Sequence, residues 1–418
     1  MRMMISFAAL ILSVILLQLS SGAVAPLDAL SGLALGFSTE EIGWLGSAHF
    51  IGFFIGCWWA PRLMGSVGHS RAFAVFTSMG AIGLLAHMLI IDSTAWAIMR
   101  VATGLCVAGC YTVVEAWLQA KLTNANRGRA MGLYRFADMG ASLAAQLMIG
   151  VLTPAAYVSY NLLAIICCAA ILPLALTKQS PPTVATAPRL RPMLAVRRSP
   201  LAAAGVVVAA LSSASFRMVG PIYGSEVGLA ADQIANFLAA FVLGGALAQW
   251  PAGWLADRYD RRWVLIWLSG AAILSCGLTM LLQGGGTQAV MLAAFIFGLT
   301  TFPIFSVASA HAHDFASPDE RVELSAALMF FFALGAIAAP ATASMLIEVF
   351  GPGALFAMVA LGHAVLVFFG LVRMLARPTA TERTAYIYAP RTSFTIGRLL
   401  SRERDKPKSQ DTPSGPDD

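Results

Sequence analysis

The sequence predicts an all-α membrane protein with twelve transmembrane helices arranged as two six-helix repeats. Three observations carry this. Charged residues are 11% of the 418-residue chain and apolar residues 58%, against about a quarter charged in an ordinary soluble domain, so a water-soluble fold could not hide this much apolar surface. Apolar runs long enough to cross a bilayer, about 20 residues each, recur twelve times. The loops between them alternate, one set carrying Lys and Arg and the other none.

In chain order the runs fall near 4–27, 41–61, 72–91, 95–119, 130–151, 156–176, 200–223, 233–254, 263–282, 288–310, 324–347 and 353–373. Arg2 and the small residues Ala23-Val24-Ala25 imitate a signal peptide. The apolar stretch from Met3 is too long for one and further spans follow, so it reads as the first membrane helix. Between the sixth and seventh runs, TKQSPPTVATAPRLRPMLAVRRS is Pro-rich and basic and breaks the pattern, as a linker between halves does. The expected organisation is a first half over 1–176, a cytoplasmic linker over 177–199, a second half over 200–376 and a disordered tail over 377–418, where both charge signs mix with Pro and Ser.

Arg62, Arg71, Lys121, Arg127, Arg129, the linker, Arg258 to Arg262, Arg321 and the tail lie on one side of the spans, while the opposite loops hold acids such as Glu40, Glu41, Asp92, Glu226, Asp232 and Glu348. By the positive-inside rule both termini are cytoplasmic, in the inner membrane. The net charge of +6 sits at span ends, which rules against nucleic-acid binding. The six cysteines lie in apolar segments without C-x-x-C or His spacing, so neither a disulfide framework nor a metal site is indicated.

The halves match at a nearly constant offset: Glu41-Ile42 with Gln233-Ile234, Gly52 with Gly244, Gly104-Leu105 with Gly298-Leu299, Arg127 with Arg321, and Pro26-Leu27 with Pro221-Ile222. The most informative stretch is GWLADRYDRR, Gly253 to Arg262, a dense charge cluster between two apolar runs. Asp257 is suited to meet a helix N-terminus while Arg258, Arg261 and Arg262 stay among the headgroups.

The pattern G-x-L-A-D-R-x-x-R-R resembles the loop motif of the major facilitator superfamily of secondary transporters. Arg100-Val101-Ala102-Thr103-Gly104 is similar to the family's R-x-x-x-G in the fourth span, and Asn126-Arg127-Gly128-Arg129 to the R-G-R that opens the fifth. The resemblance covers essentially all of 4–373 and implies the major facilitator fold. Two departures qualify it. The first-half loop, Pro61 to Arg71, lacks a counterpart of Asp257, and Gly140 to Gly150 lacks the G-x-x-x-G-P of many drug/proton antiporters. The similarity is greatest to a branch of bacterial inner-membrane permeases of unassigned substrate.

Ionisable side chains within hydrocarbon are costly and should face a partner or a wet cavity. The substrate or coupling candidates are Arg217, Asp138, Arg135, Arg100, Asp28 and His49, and the gating candidates are Asp257, Arg258, Arg261, Arg262, Glu115 and Arg127. Arg217, in SSASFRMVGPIYG, lies beside Ser212, Ser213, Ser215 and Tyr223, with Pro221 placed to break the helix. Its guanidinium can bind a carboxylate or phosphate bidentately, or pair with Asp28 or Asp138. Arg135 and Asp138 are three apart on one face. The resemblance links Arg100 with proton coupling, for which Asp138 is the first carboxylate and Glu115 the second.

Glu115 sits near the cytoplasmic end of its span, where a gate pair with Arg62, Arg71, Arg127 or Arg129 is expected. Asp28, just past Pro26, reads as solvated near the outer face. His49 shares a face with Gly52 and Gly56 and can titrate near neutrality or simply pack. His311, His313 and Asp314 read as a hydrated loop cluster.

The sequence therefore predicts a secondary active transporter moving a small solute by alternating access, with proton coupling, no cofactor and a monomeric state. The alternatives are a transporter-like receptor or lipid translocase, and a drug or metabolite efflux antiporter. No ATP motif and no nucleophile–base pair point to an enzyme.

Overall fold

The computed structural model describes residues 2–121, 127–176, 190–376 and Tyr386. Among these there is no strand, and the chain is built from α1 (Arg2–Leu35), α2 (Thr39–Val67), α3 (His69–His87), α4 (Ser93–Lys121), α5 (Arg127–Met148), α6 (Tyr157–Ala169), α7 (Ile171–Ala175), α8 (Pro192–Arg198), α9 (Pro200–Glu226), α10 (Ala231–Arg258), α11 (Arg261–Leu282), α12 (Thr287–Thr301), α13 (Ile304–His313), α14 (Arg321–Phe350) and α15 (Ala354–Ala376). α6 with α7 and α12 with α13 each make one interrupted crossing, so twelve crossings stand at the twelve apolar runs. Ten of these stretches are both long and apolar enough to span a membrane. The two that fall short are α3, which opens on His69-Ser70-Arg71, and α5, which carries Arg127, Arg129, Arg135 and Asp138.

Prolines part from the expected pattern. Pro221 does not break its helix, since α9 runs from Pro200 to Glu226, and α1 continues nine residues beyond Pro26 to Leu35. A proline removes one N–H, and neighbouring helices can make good that loss within a bundle. The tenth crossing does part, at Phe302-Pro303. The stretch expected to be linker contains α8, held to the start of α14 by Arg191–Glu323 at 3.0 Å and Arg198–Glu320 at 2.6 Å. The rest of the linker, 177–189, and the tail apart from Tyr386 lie outside the described residues.

The repeat matches occupy like places. Ser38 opens α2 with a capping box in which the Glu41 side chain accepts from Ser38 N at 2.8 Å, and Gln233 accepts from Ala230 N at 3.0 Å at the start of α10. At the α2–α4 crossing a Cβ on Gly52 would overlap the Val101 carbonyl, and one on Gly104 the His49 carbonyl. At the α10–α12 crossing Gly244 meets the Phe295 carbonyl and Gly298 the Phe241 carbonyl in the same way. Glycine lets these backbones touch, which is how helices pack tightly where lipid offers no hydrophobic drive.

The two halves meet at the ends remote from the arginine-bearing loops. Gly43 on α2 lies against Ser344 and Pro340 of α14, and Gly150 after α5 lies against Asp232 and Ala235 of α10.

Candidate functional site: a central polar cavity

A cavity of about 150 Å³ lies between the halves, room for roughly ten waters. α1, α2, α4 and α5 contribute Gln18, His49, Arg100, Tyr111, Arg135, Asp138 and Gln146 to its wall, and the second half contributes Ser213, Arg217, Met218, Phe302 and Phe332. Five of the six substrate or coupling candidates thus converge on one space. Most of the polar groups come from the first half, which also lines the cavity with Phe50, Phe53, Val107 and Met139.

Asp138 is held at two points. The Tyr111 hydroxyl donates to its Oδ1 at 2.6 Å, and Arg135 lies 3.9 Å from its Oδ2. Gln18 is the second neighbour of the same hydroxyl. Arg135 also reaches Glu115, at 3.4 Å, where Tyr134 donates to Oε1 at 3.3 Å. Glu115 was expected at the gate, but it is buried and joined to the cavity cluster through Arg135. Four residues separate it from Tyr111, so both project from one face of α4. His49 turns toward the cavity with its buried Nδ1 making no hydrogen bond. The serines near Arg217 mostly look elsewhere: Ser212 bonds Val208 O and His363, and Ser215 bonds the Leu211 carbonyl.

Asp28 is not at the wall and is not solvated. Its side chain is 0% exposed, accepts from the Tyr160 hydroxyl at 2.9 Å, and lies 3.4 Å from Arg100 Nε and 3.5 Å from His87 Nε2. The continuation of α1 past Pro26 turns it inward. The carboxylate beside Arg100 is therefore Asp28, in place of Asp138 or Glu115.

The gate loop also differs from expectation. Asp260, not Asp257, caps a helix N-terminus, accepting from Arg262 N at 3.0 Å where α11 begins. Burial pushes the Asp260 carboxyl up, but hydrogen bonds from Arg262 outweigh this and hold it below its ordinary value. Arg261 is 1% exposed and bonds Asp314 at 2.6 Å and the Ala310 carbonyl at 2.9 Å, so it does not stay among headgroups. Arg262 is likewise buried on Asp260. Only Arg258 behaves as expected of the three, exposed and stacked 5.3 Å over Trp254. Asp257 is half exposed, 3.5 Å from Arg261, and accepts from Tyr386 N at 2.9 Å. His311 and His313 are buried, against the hydrated reading. The side chain of Arg127 lies outside the described residues.

A family model described as the Major Facilitator Superfamily matches residues 4–219 and 202–404. The chain belongs to the major facilitator superfamily. It is 29% identical over 362 residues to an uncharacterized MFS-type transporter of Yersinia pestis (strain Pestoides F), covering 83% of this chain and 89% of that one. Its fold is shared with the nucleoside transporter NupG, at a TM-score of 0.70 and 14% identity over 88% of this chain and 98% of that one. The D-xylose-proton symporter gives 0.64 and 13%, over 88% and 96%.

This major facilitator protein is therefore a multi-pass membrane transporter. Its site holds residues that the motif reading passed over: Gln18, Tyr111 and Gln146 at the cavity, and His87 and Tyr160 behind it. Each was visible as a lone polar side chain in an apolar run, the signal that singled out His49. What was missing was their convergence, since the five come from α1, α3, α4, α5 and α6.

Proposed function

We propose that this transporter is a secondary active carrier of the inner membrane that moves a small solute by alternating access, driven by the proton gradient. It works as a monomer with both termini in the cytoplasm. Arg217 contacts an anionic group of the solute, and Asp138 carries the coupling proton. The observation that supports this most is the meeting of Arg217, from the second half, with Arg135, Asp138 and His49 from the first in one small cavity. A solute spanning such a wall feels any rocking of one half against the other, which is what alternating access requires. A carboxylate beside an arginine in a space of restricted water can hold or release a proton as its partner moves. The halves are in contact at the ends remote from the arginine-bearing loops, through Gly43 with Ser344 and Gly150 with Asp232, which supports a state closed on that side.

The test uses inside-out and right-side-out membrane vesicles with an imposed pH gradient, screened against labelled anionic, zwitterionic and neutral solutes. Accumulation that collapses with the gradient supports a proton-driven carrier. Asp138→Asn should then abolish accumulation while exchange of labelled for unlabelled solute at equilibrium survives. Full gradient-driven accumulation by Asp138→Asn removes the residue from coupling.

A further inference from the structure

Tyr386, far along the tail in sequence, is seated on the arginine-bearing end of α10. Its backbone N donates to Asp257 Oδ1 at 2.9 Å, and its hydroxyl donates to Gln249 Oε1 at 3.4 Å. Its ring lies over Gly253, where a Cβ would come within 2.8 Å of Cδ1 and 2.9 Å of Cε1. Gln249, Gly253 and Asp257 follow one another at intervals of four, so they form a stripe on one face of the helix. The ring is half-buried and packs against the apolar core of the second half. Backbone, hydroxyl and ring thus each hold this one residue in place.

The stripe looks toward the first half. At the opposite end of α10, Ala235 lies against Gly150, just past α5. Gly253 follows Ala235 by eighteen residues, five turns of 3.6, and so shares its face. Counting eighteen residues back from Gly150 reaches Gly132 of α5, on the face that carries Met139 and Gln146 to the cavity. The end of α5 meets the start of α10, so the two helices run antiparallel. Gly132 and Gly253 therefore stand at one level, each about 27 Å from the shared contact. They do not touch. A Cβ on Gly132 would have nothing within 4 Å, and the three atoms nearest to one on Gly253 all belong to Tyr386.

We propose that Tyr386 is a doorstop, filling the place on α10 that the start of α5 takes when the arginine-bearing ends of the halves close. Rocking about the contact at Gly150 brings Gly132 toward Gly253. Two glycines at one level suit a close crossing of the kind seen between α2 and α4 and between α10 and α12, where a Cβ would fall about 2 Å from the facing carbonyl oxygen. Such a crossing leaves no room for a ring. Docked Tyr386 and the closed crossing exclude each other, so docking favours the state open at this end and release permits closure. The tail thereby sets how readily the carrier closes, without touching the solute.

This rests on the alternating-access reading above. The experiment reads distances and needs neither a solute nor a gradient, so it can fail while the vesicle screen succeeds, and the reverse. Spin labels are placed at Leu133→Cys on α5 and Trp250→Cys on α10, exposed positions at the level of the two glycines, in a chain whose six native cysteines are replaced by alanine. Electron–electron resonance in lipid nanodiscs then gives the ratio of short, closed distances to long, open ones. Tyr386→Ala should raise that ratio at least about threefold, the scale of one lost hydrogen bond. Tyr386→Phe, which keeps the ring and the backbone contact, should raise it less, and a chain ended at Ala376 should behave as Tyr386→Ala does. An unchanged ratio in Tyr386→Ala, a shift toward the long distance, or a ratio that moves on truncation but not in Tyr386→Ala each overturns the proposal.

Discussion

Arg217 is the one guanidinium that the second half contributes to the cavity wall, and its chemistry decides how it should be tested. A planar fork with several donors suits a carboxylate or phosphate in a way that an ammonium does not. Arg217→Lys is therefore expected to weaken solute binding about tenfold or more although the charge is kept, the size of one charge-assisted hydrogen bond. Arg217→Gln should weaken it further. Binding and folded yield are measured together, and wild-type affinity in a well-folded Arg217→Gln ends the anion-anchor reading. Several such residues were legible singly because a charge in an apolar run is conspicuous. Their partners were not legible, since Asp28 meets Arg100, His87 and Tyr160 across gaps in the chain that no spacing rule spans.

Helices were far more legible than sites, because a bilayer forces each backbone polar group to be satisfied within its own helix and leaves length and apolarity as the readable signal. The interruptions were not, since Pro221 and Pro26 sit inside continuous helices while Pro303 marks a real break. The glycines matched between halves, Gly52 with Gly244 and Gly104 with Gly298, turn out to sit where backbones touch at the crossings. Gly104→Ala places a methyl on the His49 backbone carbonyl, which cannot swing aside as a side chain can. It should destabilise the protein by more than roughly 1–3 kcal/mol, the usual cost of overpacking, and displace His49 at the cavity. Gly277→Ala, with nothing within 4 Å of the new methyl, is the control expected to fold normally. Comparable thermal stability of the two variants in detergent would contradict the argument.

The linker helix α8 adds a contact that depends on pH. A hydrogen bond from Arg198 holds the Glu320 carboxyl below its ordinary value of 4.5. A depressed carboxyl contributes its stability in full above the unfolded value and loses it as pH falls through the lower folded value, so the docking of α8 on α14 should be strongest at neutral pH and begin to weaken below about 4.5. Arg198 is 41% exposed, so the contribution is modest and weakened by salt. Glu320→Gln should imitate acid at neutral pH, seen as faster amide exchange over Pro192–Arg198 after correction for intrinsic rates. Unchanged exchange in Glu320→Gln means that apolar packing alone holds α8.

At the scale of the whole carrier, the role proposed for the loop from Asp257 to Arg262 is to set the balance between states. Its two acids divide the labour expected of Asp257 alone. Asp260 fixes the start of α11 and stays with it through any rigid-body motion, because the three atoms it bonds, the backbone N, Nε and Nη2, all belong to Arg262. Asp257 instead touches Arg261, anchored to α13 through Asp314 within the same half, and the backbone of Tyr386 in the tail, which is not part of that half. A contact made in one state and not in the other shifts populations by its differential energy and leaves intrinsic solute affinity alone. With Asp257 half exposed, that energy is about 1 kcal/mol or less, a change of severalfold in the ratio of states. Asp257→Asn keeps an oxygen that can accept from Tyr386 N but weakens that contact, together with the one to Arg261, by removing the charge. It should therefore lower turnover severalfold, while solute affinity measured at equilibrium changes by less than about twofold. A loss of affinity with turnover intact would place Asp257 in the binding pathway and overturn its assignment to the gate.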